Sequence, residues 1–492
     1  MNPCHGATRT RLRCRTSGRR WRWRAFIVLL LHSCASAHLH AEETTVSFGR
    51  FGEFTVYQIR PQPREVVLFV SGDGGWNEGV VDMARSLANL DALVAGIDIT
   101  RYLRALGKST GPCTRPAEDF EALSQFLQKR YGFTDYRRPV LVGYSSGATL
   151  VYATLAQAPA GTFAGAISLG FCPDLSVAKP FCRGRGLDSR PGRKALQSIL
   201  LPAENLDTPW AVLQGSQDQV CDPAATANFV RQVPGGRLFA LDKVGHGFSV
   251  QRNWLHQFES SFQWMTSDSA IPAGERQAAA MPVEIADLPV ALVPAKSATG
   301  DVSDTLVFVM SGDGGWAGLD RDLATELAAA GAGVVGLDSL RYFWTKRTPD
   351  GTARDVAALI EHYLKEWQRR RIVLVGYSFG ADLVPFVANR LPQSQRASLA
   401  GVVLLGPDES ASFEFHVTSW AGVASGSDVE KVLPEIERMK GMRVLCIYGD
   451  QETDSLCTRL NGNLAKTLAI KGGHHFGGDY RAIAKAILES LR

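Results

Sequence analysis

Two hydrophobic patterns alternate along this chain. Apolar runs of five to eight residues, rich in Val, Ile and Leu, recur between longer stretches with helical spacing. Unbroken apolar runs mark strands buried on both faces, so the pattern predicts a largely parallel sheet covered by helices. In the first half the strands fall at Val66–Val70, Ala92–Ile99, Pro139–Tyr144, Phe163–Leu169, Trp210–Gln214 and Leu238–Asp242. In the second they fall at Thr305–Met310, Gly333–Asp338, Ile372–Tyr377, Gly401–Leu405, Arg443–Tyr448 and Thr467–Ile470. Helical spacing fits Ala117–Arg130, Asn253–Met265, Thr352–Arg370 and Tyr480–Leu491, while Thr45–Arg60 and Pro282–Pro294 read as leading antiparallel strands.

The two halves share more than a period. Ser71-Gly-Asp-Gly-Gly-Trp76 returns as Ser311-Gly-Asp-Gly-Gly-Trp316, and Val142-Gly-Tyr-Ser145-Ser-Gly147 returns as Val375-Gly-Tyr-Ser378-Phe-Gly380. Gly245-His246-Gly-Phe248 is matched by Gly473-His474-His-Phe476. The offsets of 240, 233 and 228 residues are those of a duplicated domain, far beyond a solenoid period of about 20–50 residues. The boundaries that follow are a leader 1–41, a first domain 42–266, a linker 267–281 and a second domain 282–492. The linker is placed by its Pro, Gly, Ala and mixed charges.

Gly-x-Ser-x-Gly alone is a common pentapeptide. Both copies here directly follow an apolar strand and precede a helical run, which is the context of the nucleophile elbow of α/β-hydrolases. The fold class expected is therefore α/β, as tandem duplicated α/β-hydrolase domains. A serine hydroxyl is a weak nucleophile and needs a base within hydrogen-bond reach. His246 and His474, each in a Gly-rich loop after the last strand of its half, are the candidates for Ser145 and Ser378; His475 is adjacent, but the repeat aligns His474 with His246.

An acid must orient the imidazole. Asp218 suits the first half. In Gly449-Asp-Gln-Glu-Thr-Asp454-Ser-Leu-Cys457, counting forward from Gly selects Glu452 and counting back from Cys selects Asp454. The shared Gln and the Asp-x-aliphatic-Cys endings favour Asp454, with Glu452 as the alternative. The Ser-Gly-Asp-Gly-Gly-Trp loop follows the first core strand, where this fold builds part of its oxyanion hole, so the amides of Asp313 and Phe379, and of Asp73 and Ser146, are the expected donors. The competing reading makes that loop a packing turn with Trp316 plugging the core. Asp313, Asp382 and Asp408 lie near the site elements in sequence and are candidates for holding a substrate ammonium.

Charge moves the picture away from nucleic acid. Residues 1–41 hold eight Arg and no acid, so the overall +4 leaves −4 for the remainder, and the basic excess belongs to the leader. That leader, with an apolar stretch Ala25–Leu31 and a small-residue Ala35-Ser-Ala37, reads as a secretory signal of a periplasmic protein. Six of the nine cysteines follow it: 113, 172, 182, 221, 446 and 457. An even number in an oxidising compartment permits disulfides. Cys446 can pair only with Cys457 within its half. In the first half Cys172–Cys182 is the closest pair, leaving Cys113–Cys221, with three connectivities open. No Cys or His group has zinc-ligand spacing, and the chemistry calls for no metal or organic cofactor.

The elbow, the Ser-Gly-Asp-Gly-Gly-Trp loop, the Asp454-Ser-Leu-Cys457 stretch and the Gly-Gly-His474 loop together resemble the AcvB/VirJ virulence-protein family. The resemblance covers the chain beyond its leader, since AcvB-type members carry two such units. It implies periplasmic α/β-hydrolases that cleave the aminoacyl ester of aminoacylated phosphatidylglycerol, notably lysyl-phosphatidylglycerol, at the membrane surface. It also implies activity in the second unit and an association with type IV secretion. Two other readings are a general lipase or carboxylesterase, and a secretion chaperone or adaptor with a vestigial site. For the first unit the alternative is a binding or membrane-docking domain, whose Phe171–Pro191 insertion brings Lys and Arg to anionic headgroups.

Overall fold

A computed structural model describes residues 42–206, 208–267, 283–297, 301–416 and 429–491. The leader expected at 1–41 lies outside the described residues, as does nearly all of the expected linker.

In the first half β1 (Glu42–Phe48) and β2 (Gly52–Gln58) form a hairpin, followed by β3 (Glu65–Val70), β4 (Ala92–Ile97), β5 (Val140–Tyr144) and β6 (Gly165–Leu169). Three short strands then intervene, β7 (Asp174–Ser176), β8 (Ser189–Pro191) and β9 (Gln197–Leu200), before β10 (Trp210–Gly215) and β11 (Gly236–Leu241). The main sheet runs β1-β2-β4-β3-β5-β6-β10-β11. Only β1–β2 and β2–β4 pair antiparallel; the other neighbours are parallel.

The second half repeats this order. Its strands β12 (Val290–Val293), β13 (Thr305–Met310), β14 (Gly333–Leu337), β15 (Arg371–Tyr377) and β16 (Leu399–Leu405) precede the two-residue strands β17 (Ser410–Ala411) and β18 (Glu430–Lys431). β19 (Val444–Gly449) and β20 (Lys466–Ile470) complete a sheet ordered β12-β14-β13-β15-β16-β19-β20. The molecule is a tandem of α/β-hydrolase folds, with crossover helices on both faces of each sheet. The expected leading strands differ between halves. Thr45–Arg60 holds most of the β1–β2 hairpin, whereas the described part of Pro282–Pro294 holds a short helix, Val283–Ala286, and one strand, which pairs antiparallel with β14.

Both faces of each sheet are packed. In the first half Phe120, Leu123, Leu150 and Trp210 belong to one buried cluster, while Met83, Leu87, Trp254 and Phe258 belong to the other. Removing each such side chain from water contributes on the order of 1.5–3 kcal/mol, and these faces hold the strand ends where the chemistry is expected.

The first-half disulfides differ from the pairing suggested by proximity in sequence. Cys113 bonds Cys182, and Cys172 bonds Cys221. The insertion after β6 explains this, because it folds back on the loop before the helix Pro116–Arg130. Cys182 N–H donates to Thr114 O at 2.8 Å, and Thr114 N–H to Pro180 O at 2.9 Å, which brings Cys182 beside Cys113. Cys446 bonds Cys457.

Candidate active site

Each elbow is built by steric necessity. A Cβ on Gly376 would lie 2.4 Å from Gly380 O, and one on Gly380 would lie 2.2 Å from Met310 O; Gly143 and Gly147 are equally crowded. Only glycine fits at either side of the serine. Between them Ser145 (φ 55°, ψ −121°) and Ser378 (φ 50°, ψ −120°) adopt a strained turn that a non-glycine residue keeps only where the surroundings enforce it. The turn puts each Oγ at the N-terminus of the next helix, Ser146–Gln157 or Phe379–Arg390.

The loops after the sheets' edge strands bring the histidines to these serines. His246 Nε2 lies 2.9 Å from Ser145 Oγ, and its Nδ1 lies 2.9 Å from Asp218 Oδ2. His474 Nε2 lies 2.8 Å from Ser378 Oγ, and its Nδ1 is hydrogen-bonded to Glu452 Oε1. Asp454, the acid favoured on the sequence, is exposed and does not make this bond. The end of the strand shows the physical reason for this placement. Asp218 N–H donates to Gly215 O and Glu452 N–H to Gly449 O, so both acids occupy the third position after the strand's terminal glycine. The two extra residues of the second half lie between the acid and the cysteine.

Both carboxylates are held ionised. Burial pushes Asp218 up, but the N–H groups of Cys221 and Val220 together with His246 outweigh it and leave its pKa low. Burial likewise opposes Glu452, whose pKa is lowered by His474 and by the N–H of Gly449, donated at 2.7 Å. For His474 burial pulls down, yet Glu452, Asp313 and Asp408 lift the imidazole above its usual value. His475 sits beside the triad with Nδ1 2.8 Å from Tyr377 Oη; burial and the neighbouring His474 lower its pKa.

The Ser-Gly-Asp-Gly-Gly-Trp loops pass directly beside the serines. A Cβ on Gly72 would lie 3.1 Å from Ser145 Cβ, and one on Gly312 3.6 Å from Ser378 Cβ. Asp73 and Asp313 are the next residues, and Ser146 and Phe379 open the helices that follow the serines. The same loops also pack: a Cβ on Gly336 would fall 2.0 Å from the ring of Trp316, and one on Gly96 2.1 Å from that of Trp76. One segment thus runs beside each serine and packs its tryptophan against the sheet.

The three further aspartates separate. Asp382 is 7% exposed, and its Oδ1 accepts the Asp408 N–H at 2.6 Å. Burial, with Asp408 and Asp313 nearby, drives its pKa well up, and its hydrogen bond ties it to the Asp408 turn. Asp408 is exposed; partial desolvation and Asp454 raise its pKa, while His474 pulls it back. Asp218, Cys221 and His246 bring donor atoms within 4.8 Å of one another, but the Cys221 sulfur is in a disulfide and the other two are the triad pair. Glu121, which no motif in the sequence picks out, also approaches this region. It lies on the helix Pro116–Arg130 of the first half, and nothing local in the sequence marks it.

Comparison with known proteins adds the family. Several solved structures align with about half of this chain. The esterase domain of a Rhodothermus marinus protein is 17% identical, covering 46% of this chain and 97% of its own, with a TM-score of 0.32. XC6422 from Xanthomonas campestris, described as an α/β serine hydrolase without a lid, is 20% identical over 46% of this chain and 96% of its own, with a TM-score of 0.31. A serine hydrolase homologue from Coxiella burnetii is 20% identical over 45% and 96%, with a TM-score of 0.29. Comparison with curated protein sequences finds no match. The profile of VirJ, a bacterial virulence protein, matches residues 64–167 and 304–492, more than half of the chain and a segment of each repeat. The chain belongs to the VirJ family of bacterial virulence proteins.

Proposed function

We propose that this protein is a periplasmic serine hydrolase whose Ser378 site cleaves the aminoacyl ester of aminoacylated phosphatidylglycerol, with Ser145 as a second site of the same chemistry. The observation that carries the hydrolase reading is the hydrogen-bonded series Ser378–His474–Glu452 on a strained elbow. The aminoacyl-lipid reading is supported by the resemblance to AcvB-type proteins and by the carboxylates beside the triad.

In the mechanism Ser378 Oγ attacks the ester carbonyl while His474 Nε2 takes its proton. Glu452 holds the imidazole by Nδ1–H and stabilises its positive charge. The tetrahedral oxyanion is received by the amides of Asp313 and Phe379, with negative charge developing where preorganised N–H groups stand. His474 then returns the proton to the departing glycerol oxygen, which leaves an aminoacyl-Ser378 ester. Water, activated by the same imidazole, hydrolyses that ester and frees the amino acid. An ammonium next to the carbonyl is accommodated by Asp313 and Asp408, while Asp382 fixes Asp408 through its amide.

The test is lysine release from vesicles containing lysyl-phosphatidylglycerol, followed by thin-layer analysis of the lipid. Wild type, Ser145→Ala, Ser378→Ala and the double variant are compared. Loss with Ser378→Ala alone assigns the activity to the second half, and partial loss with each single variant assigns it to both. No release by the wild type sinks the lipid assignment. A Ser378→Ala protein that still supports the cell's secretion phenotype favours an adaptor role.

A further inference from the structure

The first half reaches into the surroundings of Ser378. A Cβ built on Gly314 would lie 3.5 Å from Glu121 Oε1, so this carboxyl rests against the backbone that follows Asp313. The approach is braced along a broad contact. Pro159 lies 3.4 Å from a Cβ built on Gly318, and Trp316 O lies 3.4 Å from one built on Gly161. Lys129, about two turns beyond Glu121 on the same helix, donates to Trp344 O at 2.6 Å and stands 4.6 Å over that indole ring. Trp344 Nε1–H donates in turn to Phe133 O at 2.7 Å. Tyr136, Leu340, Trp344 and Phe415 form one buried cluster drawn from both halves. Among the described residues no such approach is made at the other copy, where a Cβ on Gly74 meets only Asn77 of its own half.

The charges around Glu121 are mostly negative. Its own helix adds Glu118, and the second half adds Asp313 and Asp338; burial, followed by these charges, pushes Glu121 up to about 8. Tyr136 faces it with a buried hydroxyl. Arg138 is the cation that acts on both Tyr136 and Asp338. Burial and like charge disfavour the ionised carboxylate there, and a cation set against it would favour it.

We infer that Glu121 is a specificity-determining residue of the Ser378 site, set by the first half against the Asp313–Gly314 backbone so that the site favours esters whose acyl group carries an ammonium over neutral ones. This inference rests on the hydrolase reading of Ser378. An α-ammonium is separated from its ester carbonyl by a single carbon, so an ester bound at the loop brings its positive charge close to Glu121. A neutral acyl group of the same shape gains nothing there.

The experiment compares two isosteric esters of one alcohol, 4-nitrobenzyl glycinate and 4-nitrobenzyl propionate, at pH 7. The Ser145→Ala protein isolates the Ser378 site, and Glu121→Gln and Glu121→Asp are added to it. The ratio of kcat/KM for glycinate over propionate falls about tenfold with Glu121→Gln, and Glu121→Asp recovers part of it. A ratio unchanged within about twofold, whether both rates fall together or neither does, overturns the inference, because a residue that merely packs the loop affects both esters alike. If the Ser145→Ala protein hydrolyses neither ester, the hydrolase reading of Ser378 fails and this inference with it. Hydrolysis indifferent to Glu121 sinks the inference alone.

Discussion

The Ser-Gly-Asp-Gly-Gly-Trp loop occurs twice in one molecule, in two settings. Asp73 and Gly74 are exposed, whereas Asp313 and Gly314 are partly covered, with the first half's Glu121 against the latter. The serine–histidine geometry beneath is the same in both, with Oγ to Nε2 at 2.9 Å and 2.8 Å. Duplication has therefore kept the serine–histidine backbone while the surroundings of the two loops have diverged. The acids show the same split, since Asp218 and Glu452 start from the same strand position and span different lengths to their imidazoles. The family profile covers Glu452 and His474 but leaves Asp218 and His246 outside its matched residues.

The sharpest way to break this comparison is to remove the acids. In a Ser145→Ala background, Glu452→Ala is expected to lower kcat by about 10³–10⁴-fold, because the imidazole loses both its tautomer and its counter-charge. Asp454→Ala leaves it within about threefold. If Asp454→Ala were the crippling change, the placement of Glu452 after Gly449 would carry no catalytic meaning.

A second test loosens the contact that makes the two settings differ. Trp344 is 2% exposed and is held by Lys129, Phe133 and Tyr136 of the first half. Trp344→Ala should cost about 3–5 kcal/mol on thermal or denaturant unfolding. Among the molecules that remain folded, Ser378-dependent turnover should suffer more than Ser145-dependent turnover. Equal losses at both sites would show that the cover over Gly314 is incidental.

Much of this architecture is legible in the amino-acid sequence. The strands, the elbows and the histidines are tied to hydrophobic periodicity and to glycines that sterics demand, and those signals are local. The choice between Asp454 and Glu452 is not local, because a two-residue insertion can be placed on either side of the acid. The hydrogen bond between Glu452 and His474, together with the Glu452 N–H donated to Gly449 O, fixes which side it takes. The first-half disulfides defeat sequence proximity because the insertion after β6 folds back to reach Cys113. Glu121 is invisible in the sequence for a stronger reason: its role depends on how a helix of one repeat packs on a loop of the other, and no periodicity records that.

The plugging tryptophans give a finer contrast. Trp316 is buried above Gly336, while Trp76 stands partly exposed above Gly96, with its Nε1–H donated to Tyr57 Oη at 2.8 Å. A methyl group at either glycine collides with the indole. Gly336→Ala should therefore destabilise by about 1–3 kcal/mol in denaturant unfolding, and Gly96→Ala by less, because a ring at the surface can tilt away. Equal costs would mean that the exposed indole is as tightly held as the buried one.

The smallest expected effect concerns protonation and separates the sites most gently. His474 must be neutral to accept the Ser378 proton. Burial would make that easier, but Glu452, Asp313 and Asp408 more than offset it and hold the imidazole's pKa above 6.5. A raised pKa means that protonation inactivates the base earlier as pH falls. In the Ser145→Ala protein the acid limb of kcat/KM should therefore have its midpoint above pH 6.5. Asp408→Asn removes one of the raising charges and should move that midpoint down only slightly, as expected of an exposed, screened carboxylate. In the Ser378→Ala protein, where turnover depends on Ser145, the same substitution should leave the limb in place. A midpoint at the Ser378 site that lies below 6.5 would mean that burial governs His474. A shift of both limbs together would mean that Asp408 acts on the molecule at large and not on the imidazole it faces.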